Sequence, residues 1–193
     1  MWYRAITPPG KEPVSLAAAK LHLRVDEAET SEDALIEEII TAAREYCEKI
    51  TRRSIVVKTI EAYPETFPAR ARELRLPCPP LISVESIVCK DAGGTETEMA
   101  EDVDYVVDTV RDRIILCSGK SWPTPSHLAK PITIRYTVGY NADMAVPKTI
   151  RQAMLLLIGF WYTSREAVLI GSISKELELT VSTLLKLHRV EWW

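Results

Sequence analysis

The feature that most constrains this chain is a change of hydrophobic period. Leu35, Ile36, Ile39, Ile40, Ala43, Tyr46, Cys47 and Ile50 recur every three or four residues, the signature of one buried helix face. The spacing predicts a helix from about Ser31 to Thr51. The same period returns later, where Ile150, Ala153, Met154, Leu157, Ile158, Trp161 and Tyr162 fall on one face, predicting a helix from Pro147 to about Arg165. Between the two, over residues 54–140, the helical period is absent. β-branched residues, alternation and proline take its place.

That middle stretch reads as a small antiparallel β unit of five to seven strands. The expected strands are 54–63, 73–76, 81–90, 95–99, 104–108, 113–117 and 132–140. Asp91-Ala92-Gly93-Gly94-Thr95 is a hairpin turn signal. Ile132, Ile134, Tyr136 and Val138 share one face of the last strand. Five of the twelve prolines fall within residues 64–80. They fence Glu73–Leu76 and mark it as an edge strand, because proline cannot donate to an inner ladder.

Two shorter helices complete the pattern. Ser15 is placed to cap a helix running from Leu16 to near Val25. The acidic segment 26–33 follows, with Thr30 or Ser31 as the expected cap of the long helix. Near the other end, residues 171–178 read as a polar link and 181–189 as a last helix. Residues 1–14, with Pro8, Pro9, Gly10 and Pro13, read as an irregular arm. The fold class is α+β: a helical core of two long and two short helices over 15–53 and 141–193, interrupted by the β unit at 54–140.

Composition narrows the function. The charge sum of 24 basic against 27 acidic residues is −3, a poor balance for a basic nucleic-acid binder. Cys47, Cys78, Cys89 and Cys117 lie 31, 11 and 28 residues apart. That spacing has no C-x-x-C and favours reduced, partly buried thiols. The longest apolar run, Ala153–Tyr162, is ten residues, against the roughly 20 a membrane span needs, and Met1-Trp2-Tyr3-Arg4 does not resemble a signal peptide. A soluble protein without membrane association is expected.

No catalytic motif stands out. His22, His127 and His188 lie in none. Asp102, Asp104, Asp108 and Asp112 lack the pattern of a calcium loop, and Gly93-Gly94 lacks a following Lys-Ser/Thr. No cofactor and no metal is expected. The end of the second helix, Thr51-Arg52-Arg53, suits the negative end of a helix dipole. The aromatic residues Trp2, Tyr3, Trp192 and Trp193 near the two ends of the chain are candidate interface anchors.

Several blocks in order resemble one family. Ser15-Leu16-Ala17-Ala18-Ala19-Lys20-Leu21-His22-Leu23-Arg24-Val25-Asp26 resembles the opening of phage head–tail connector proteins, also called adaptor or head-completion proteins. Asp33–Ile36, Ala42–Glu48 and Thr51–Arg53 are similar to their second helix. Leu76-Pro77-Cys78-Pro79-Pro80-Leu81-Ile82-Ser83-Val84 resembles the strand entrance of the longer branch, which carries a β insertion. Trp122-Pro123, Tyr136–Tyr140, Val146-Pro147 with Ile150–Ala153, Trp161–Glu166, and Leu184-Leu185 with Arg189 follow in the family's order. Ala18, Cys78 and Lys186-Leu187-His188 depart from the pattern.

The resemblance implies a structural virion protein rather than an enzyme. It implies a homo-oligomeric ring of roughly twelve copies, closed head to tail, made in the bacterial host cytoplasm and placed at the head–tail junction. The implied partners are the portal, the next neck or tail completion protein, and double-stranded DNA that passes without sequence specificity. Asp26, Glu27, Glu29, Glu32 and Asp33 are candidate channel-facing acids. Trp161, Tyr162 and Arg165 join the four terminal aromatics as candidate anchors. Three rival readings remain beside it: a tail terminator or stopper, a small hydrolase with an acidic pair, and a DNA-binding module.

Overall fold

The computed structural model describes residues 1–68, 71–126, 130–164 and 175–191. Two compact units emerge, each assembled from two pieces of chain: residues 1–10 with 56–140, and residues 11–55 with 141–193.

The first unit is all β. Its strands are β1 (Trp2–Ala5), β2 (Lys58–Tyr63), β3 (Glu73–Arg75), β4 (Leu81–Lys90), β5 (Glu96–Met99), β6 (Tyr105–Asp108), β7 (Arg113–Leu116) and β8 (Ile132–Val138). Five form an antiparallel sheet in the order β1-β2-β8-β4-β5, and three form a second in the order β3-β7-β6. One cluster of buried side chains draws on both sheets, including Ile60, Ile87, Ile114, Ile134 and Tyr136. The alternation read in the last strand holds: Ile132, Ile134, Tyr136 and Val138 are all buried. Glu73–Arg75 is an edge strand, as its flanking prolines predict.

The irregular arm expected over 1–14 is corrected at its start. Trp2–Ala5 is a strand, with Trp2 opposite Tyr63 and Arg4 opposite Glu61. Four residues with no apolar–polar alternation carry too little pattern to announce a strand. Pairing with β2 decides it, since strand preference depends on the neighbouring surface.

The second unit is all α: α1 (Leu16–Leu23), α2 (Asp33–Thr51), α3 (Lys148–Thr163) and α4 (Lys175–Lys186). α2 packs on α3, and Ile36, Ile40, Ala43, Cys47, Ile150, Met154 and Leu157 are buried. The Ser15 hydroxyl accepts the Ala18 amide at 3.2 Å and caps α1. Two expectations shift. α2 begins without a side-chain cap: the cap position falls on Glu32 rather than on Thr30 or Ser31, and the Ser31 hydroxyl and amide are both given to the Glu29 carboxylate. α4 runs over 175–186 rather than 181–189. Lys-Glu-Leu-Glu-Leu at its start consists of good helix formers, which propagate the helix upstream. No helix among the described residues is long and apolar enough to cross a membrane.

Candidate assembly site

The acidic segment 26–33 is organised by a residue that its charge count hides. Lys20 sits on α1 and is only 3% exposed. Its ammonium donates to the Glu27 carbonyl at 3.2 Å and the Glu29 carbonyl at 2.5 Å. It also pairs with the Asp33 carboxylate at 2.5 Å. A buried ammonium needs such partners to remain charged. Lys20 therefore folds the α1–α2 connection around itself.

The five candidate acids separate into different roles. Asp33 is the counter-ion of Lys20. Glu32 accepts a short hydrogen bond from the Tyr162 hydroxyl. Asp26 and Glu29 are exposed, and each accepts an amide two residues ahead, from Ala28 and Ser31. The Ser31 hydroxyl and amide hold Glu29 below the usual carboxylate range. Glu27 is exposed and lines a hollow beside α1.

The candidate anchors separate as well. Trp2 is 79% exposed and Tyr3 51%, on a strand at the edge of its sheet. That edge carries no proline until Pro8, so nothing in the strand itself blocks pairing along it. Trp161 is half-buried and meets Tyr46 edge to face, with ring centroids 6.1 Å apart. Tyr162 is half-buried as well, so each of the two has part of its surface inside the helical unit and part outside. Arg165, Trp192 and Trp193 lie outside the described residues, as does His127.

Three features escaped the sequence reading. Glu61 sits at the centre of a cluster on the β1-β2-β8 face, receiving Arg4 at 2.8 Å, Arg135 at 2.6 Å and the Tyr63 hydroxyl at 2.5 Å. Tyr63, Arg135 and Arg4 together hold its carboxyl down to about 2. Glu61 is thus charged in the fold well below the ordinary value of 4.5. A depressed folded-state value contributes stability above the unfolded-state value and loses it as pH falls between the two. Stability is therefore expected to fall from about pH 5 toward pH 2. Glu61→Gln should flatten that slope in denaturant unfolding at a series of pH values, and an unchanged slope would refute the assignment.

The second is Arg44 on α2, buried among Glu12, Glu45 and Glu48. The third is a pair of exposed leucines in the helical unit, Leu21 at 82% and Leu187 at 79%. Leu21 was legible in part, because it falls off the Leu16, Ala19, Leu23 stripe. Arg44 and Glu61 gave no signal, since each cluster is completed by a distant partner, Glu12 and Arg4, 32 and 57 residues away.

Among the described residues, the carboxylates with a clear shift (Glu29, Glu61, Asp104 and Asp108) all move toward the charged form, the reverse of a general acid. Burial pushes the Cys47 thiol up to about 12. His188 is bonded to the Thr149 hydroxyl at 2.6 Å. No group of three or more metal-ligating side chains occurs among the described residues. The four cysteines are free, with Cys47 and Cys89 buried.

Comparison with known proteins matches this arrangement to one class. The family described as head completion protein (HCP) matches residues 14–189. A structure described as the neck of an empty gene transfer agent particle, computed with C6 symmetry, superposes with a TM-score of 0.78 at 23% identity, covering 100% of this chain and 97% of that one. A chain of the virion of a native gene transfer agent particle gives 0.77 at 22%, again over 100% and 97%. A chain of the native particle's neck, computed with C12 symmetry, gives 0.72 at 21%, over 100% and 98%. No curated protein matches the chain. At these identities the neighbours establish the fold, and the family match over residues 14–189 establishes the kinship: the chain belongs to the head completion protein family.

Proposed function

We propose that the protein is a ring-forming head–tail connector, a structural part of a virion. It docks under the portal, extends the DNA channel and presents a surface to the next neck or tail protein. The observation that carries this reading is the family match over residues 14–189. The similarity to chains of neck structures computed with C6 and C12 symmetry supports a closed ring of identical copies. Exposed Trp2 and Tyr3 on an open strand edge give each copy apolar and backbone surface suited to docking.

Mass measurement in solution, with electron microscopy of the same sample and of a sample mixed with portal, tests the reading. Rings are expected, alone or on the portal. A protein that stays monomeric in both samples would overturn it.

The channel wall is assigned to the exposed acids Asp26 and Glu29. A wall of like charge repels the duplex and lets it slide, because tight binding to DNA comes from neutralising phosphates. Replacing both with lysine is expected to slow DNA passage during packaging or ejection and to create salt-sensitive DNA retention. Unchanged packaging and ejection would remove these two residues from the wall.

A further inference from the structure

A ring closed by head-to-tail contacts needs two different surfaces on every copy, one the complement of the other. The helical unit carries such a pair.

The first surface is a hollow of about 370 Å³ beside α1, lined by Ala17, Ala18, Lys20, Leu21, Val25 and Glu27. Leu21 stands at its edge, 82% exposed. Glu27 is its acidic lining residue, and it is exposed. Lys20 also lines it, with its ammonium held by Asp33 and by the Glu27 and Glu29 carbonyls. Those same bonds keep the loop rigid, so the hollow is a standing feature of the surface.

The second surface is Leu187, 79% exposed, in the turn that follows α4. An exposed leucine on a loose tail would mean little. This one is held from both sides. The His188 amide donates to the Leu185 carbonyl at 2.9 Å, and Arg53 Nε donates to the His188 carbonyl at 2.6 Å. The His188 ring is bonded to Thr149 at 2.6 Å, and the Val190 amide donates to the Thr51 carbonyl at 2.9 Å. The turn is fixed with its apolar side chain outward. Lys186, Arg189 and Arg52 are exposed around it, with Glu191 the exposed acid that follows, and none of the three cations forms an ion pair among the described residues. No residue of 175–191 lines the hollow, so a copy offers the two features separately.

We propose that Leu187 of one copy seats in the hollow beside Leu21 of the next, with Lys186 and Arg189 of the first against Glu27 of the second. The contact buries two exposed leucines and sets Glu27 against two cations of the turn, which fixes orientation. It is heterologous, so it propagates until the ring closes. The proposal rests on the ring reading above and adds the residues that make the joint.

The test is disulfide trapping on the full chain. Leu21→Cys/Leu187→Cys should give, under mild oxidation, a ladder of covalent oligomers ending at the ring. Leu21→Cys, Leu187→Cys and the parent protein should give none. Both positions are exposed, so far-UV circular dichroism of every variant should match the parent. Leu187→Asp should abolish rings of the otherwise unchanged protein. Glu27→Lys should lower the rate of ladder formation about tenfold, the effect of losing one close charge pair, and adding Arg189→Glu should restore it. Rings from the double-cysteine protein without a ladder would overturn this joint and leave the connector reading intact. A dimer from either single variant would show a symmetric contact and overturn it as well. Neither rings nor ladder, with or without portal, would overturn both. Leu187→Asp rings that persist alone but fail to bind portal would give the turn to the portal instead.

Discussion

Gly139→Ala is expected to cost about 3–5 kcal/mol of stability, combining backbone strain with a steric clash. Gly139 follows β8 with φ +117°, a region closed to residues with a Cβ. A methyl group there would lie 2.3 Å from the Val56 carbonyl oxygen and 2.8 Å from the Val57 Cα. Both are backbone atoms, so no rotamer change relieves the overlap. The strand must retreat, and the Gly139 amide loses its 2.9 Å bond to the Pro80 carbonyl. Gly94 is the control. It also has positive φ, +84°, but nothing lies within 4 Å of its would-be Cβ. Gly94→Ala pays only the left-handed backbone cost, about 1–2 kcal/mol. Urea unfolding of the two variants measures the difference. Equal losses would show that the close approach of residues 56–57 is not what demands glycine.

Arg44→Met is the second large effect, expected at about 3–5 kcal/mol, the usual cost of removing one partner from a buried ion network. Arg44 is 2% exposed. Burial works against its charge, yet Glu12, Glu48 and Glu45 more than offset it and leave the guanidinium more firmly protonated than usual. Glu12 receives Nε at 2.9 Å, and Glu48 receives Nη1 at 3.1 Å. Glu48 also accepts the Ile55 amide at 2.7 Å, so the arginine helps hold the chain where it leaves α2. Methionine fills the volume and strands two carboxylates. Arg44→Lys should lose less, keeping the charge and forfeiting the fork that reaches two carboxylates. A methionine variant as stable as the lysine variant would show that packing, not charge, is what Arg44 supplies.

The helical unit was readable because its information is local. Four turns of apolar spacing announce α2, and Ser15 announces the start of α1. Trp161 and Tyr162 show the limit of that reading. They are candidate anchors beside the family resemblance, and both are half-buried on α3, where Trp161 meets Tyr46 and the Tyr162 hydroxyl bonds Glu32. The acidic segment shows it too. Eight residues rich in carboxylate look solvated, yet Lys20 draws Asp33 inward and fixes the loop.

By itself the sequence determined the alternation of helical and strand periods, the edge position of Glu73–Arg75, the buried face of the last strand and the family. These depend on neighbours within a few residues or on ordered blocks. Only the tertiary structure decided that Trp2–Ala5 is a strand, that Glu61 and Arg44 are charged hubs, and that Leu21 and Leu187 stand rigid and exposed. The reason is physical. A helix face is encoded by residues three and four apart, whereas an edge pairing or a charged hub is completed by what lies opposite, 57 residues away for Arg4 and Glu61 and 32 for Glu12 and Arg44.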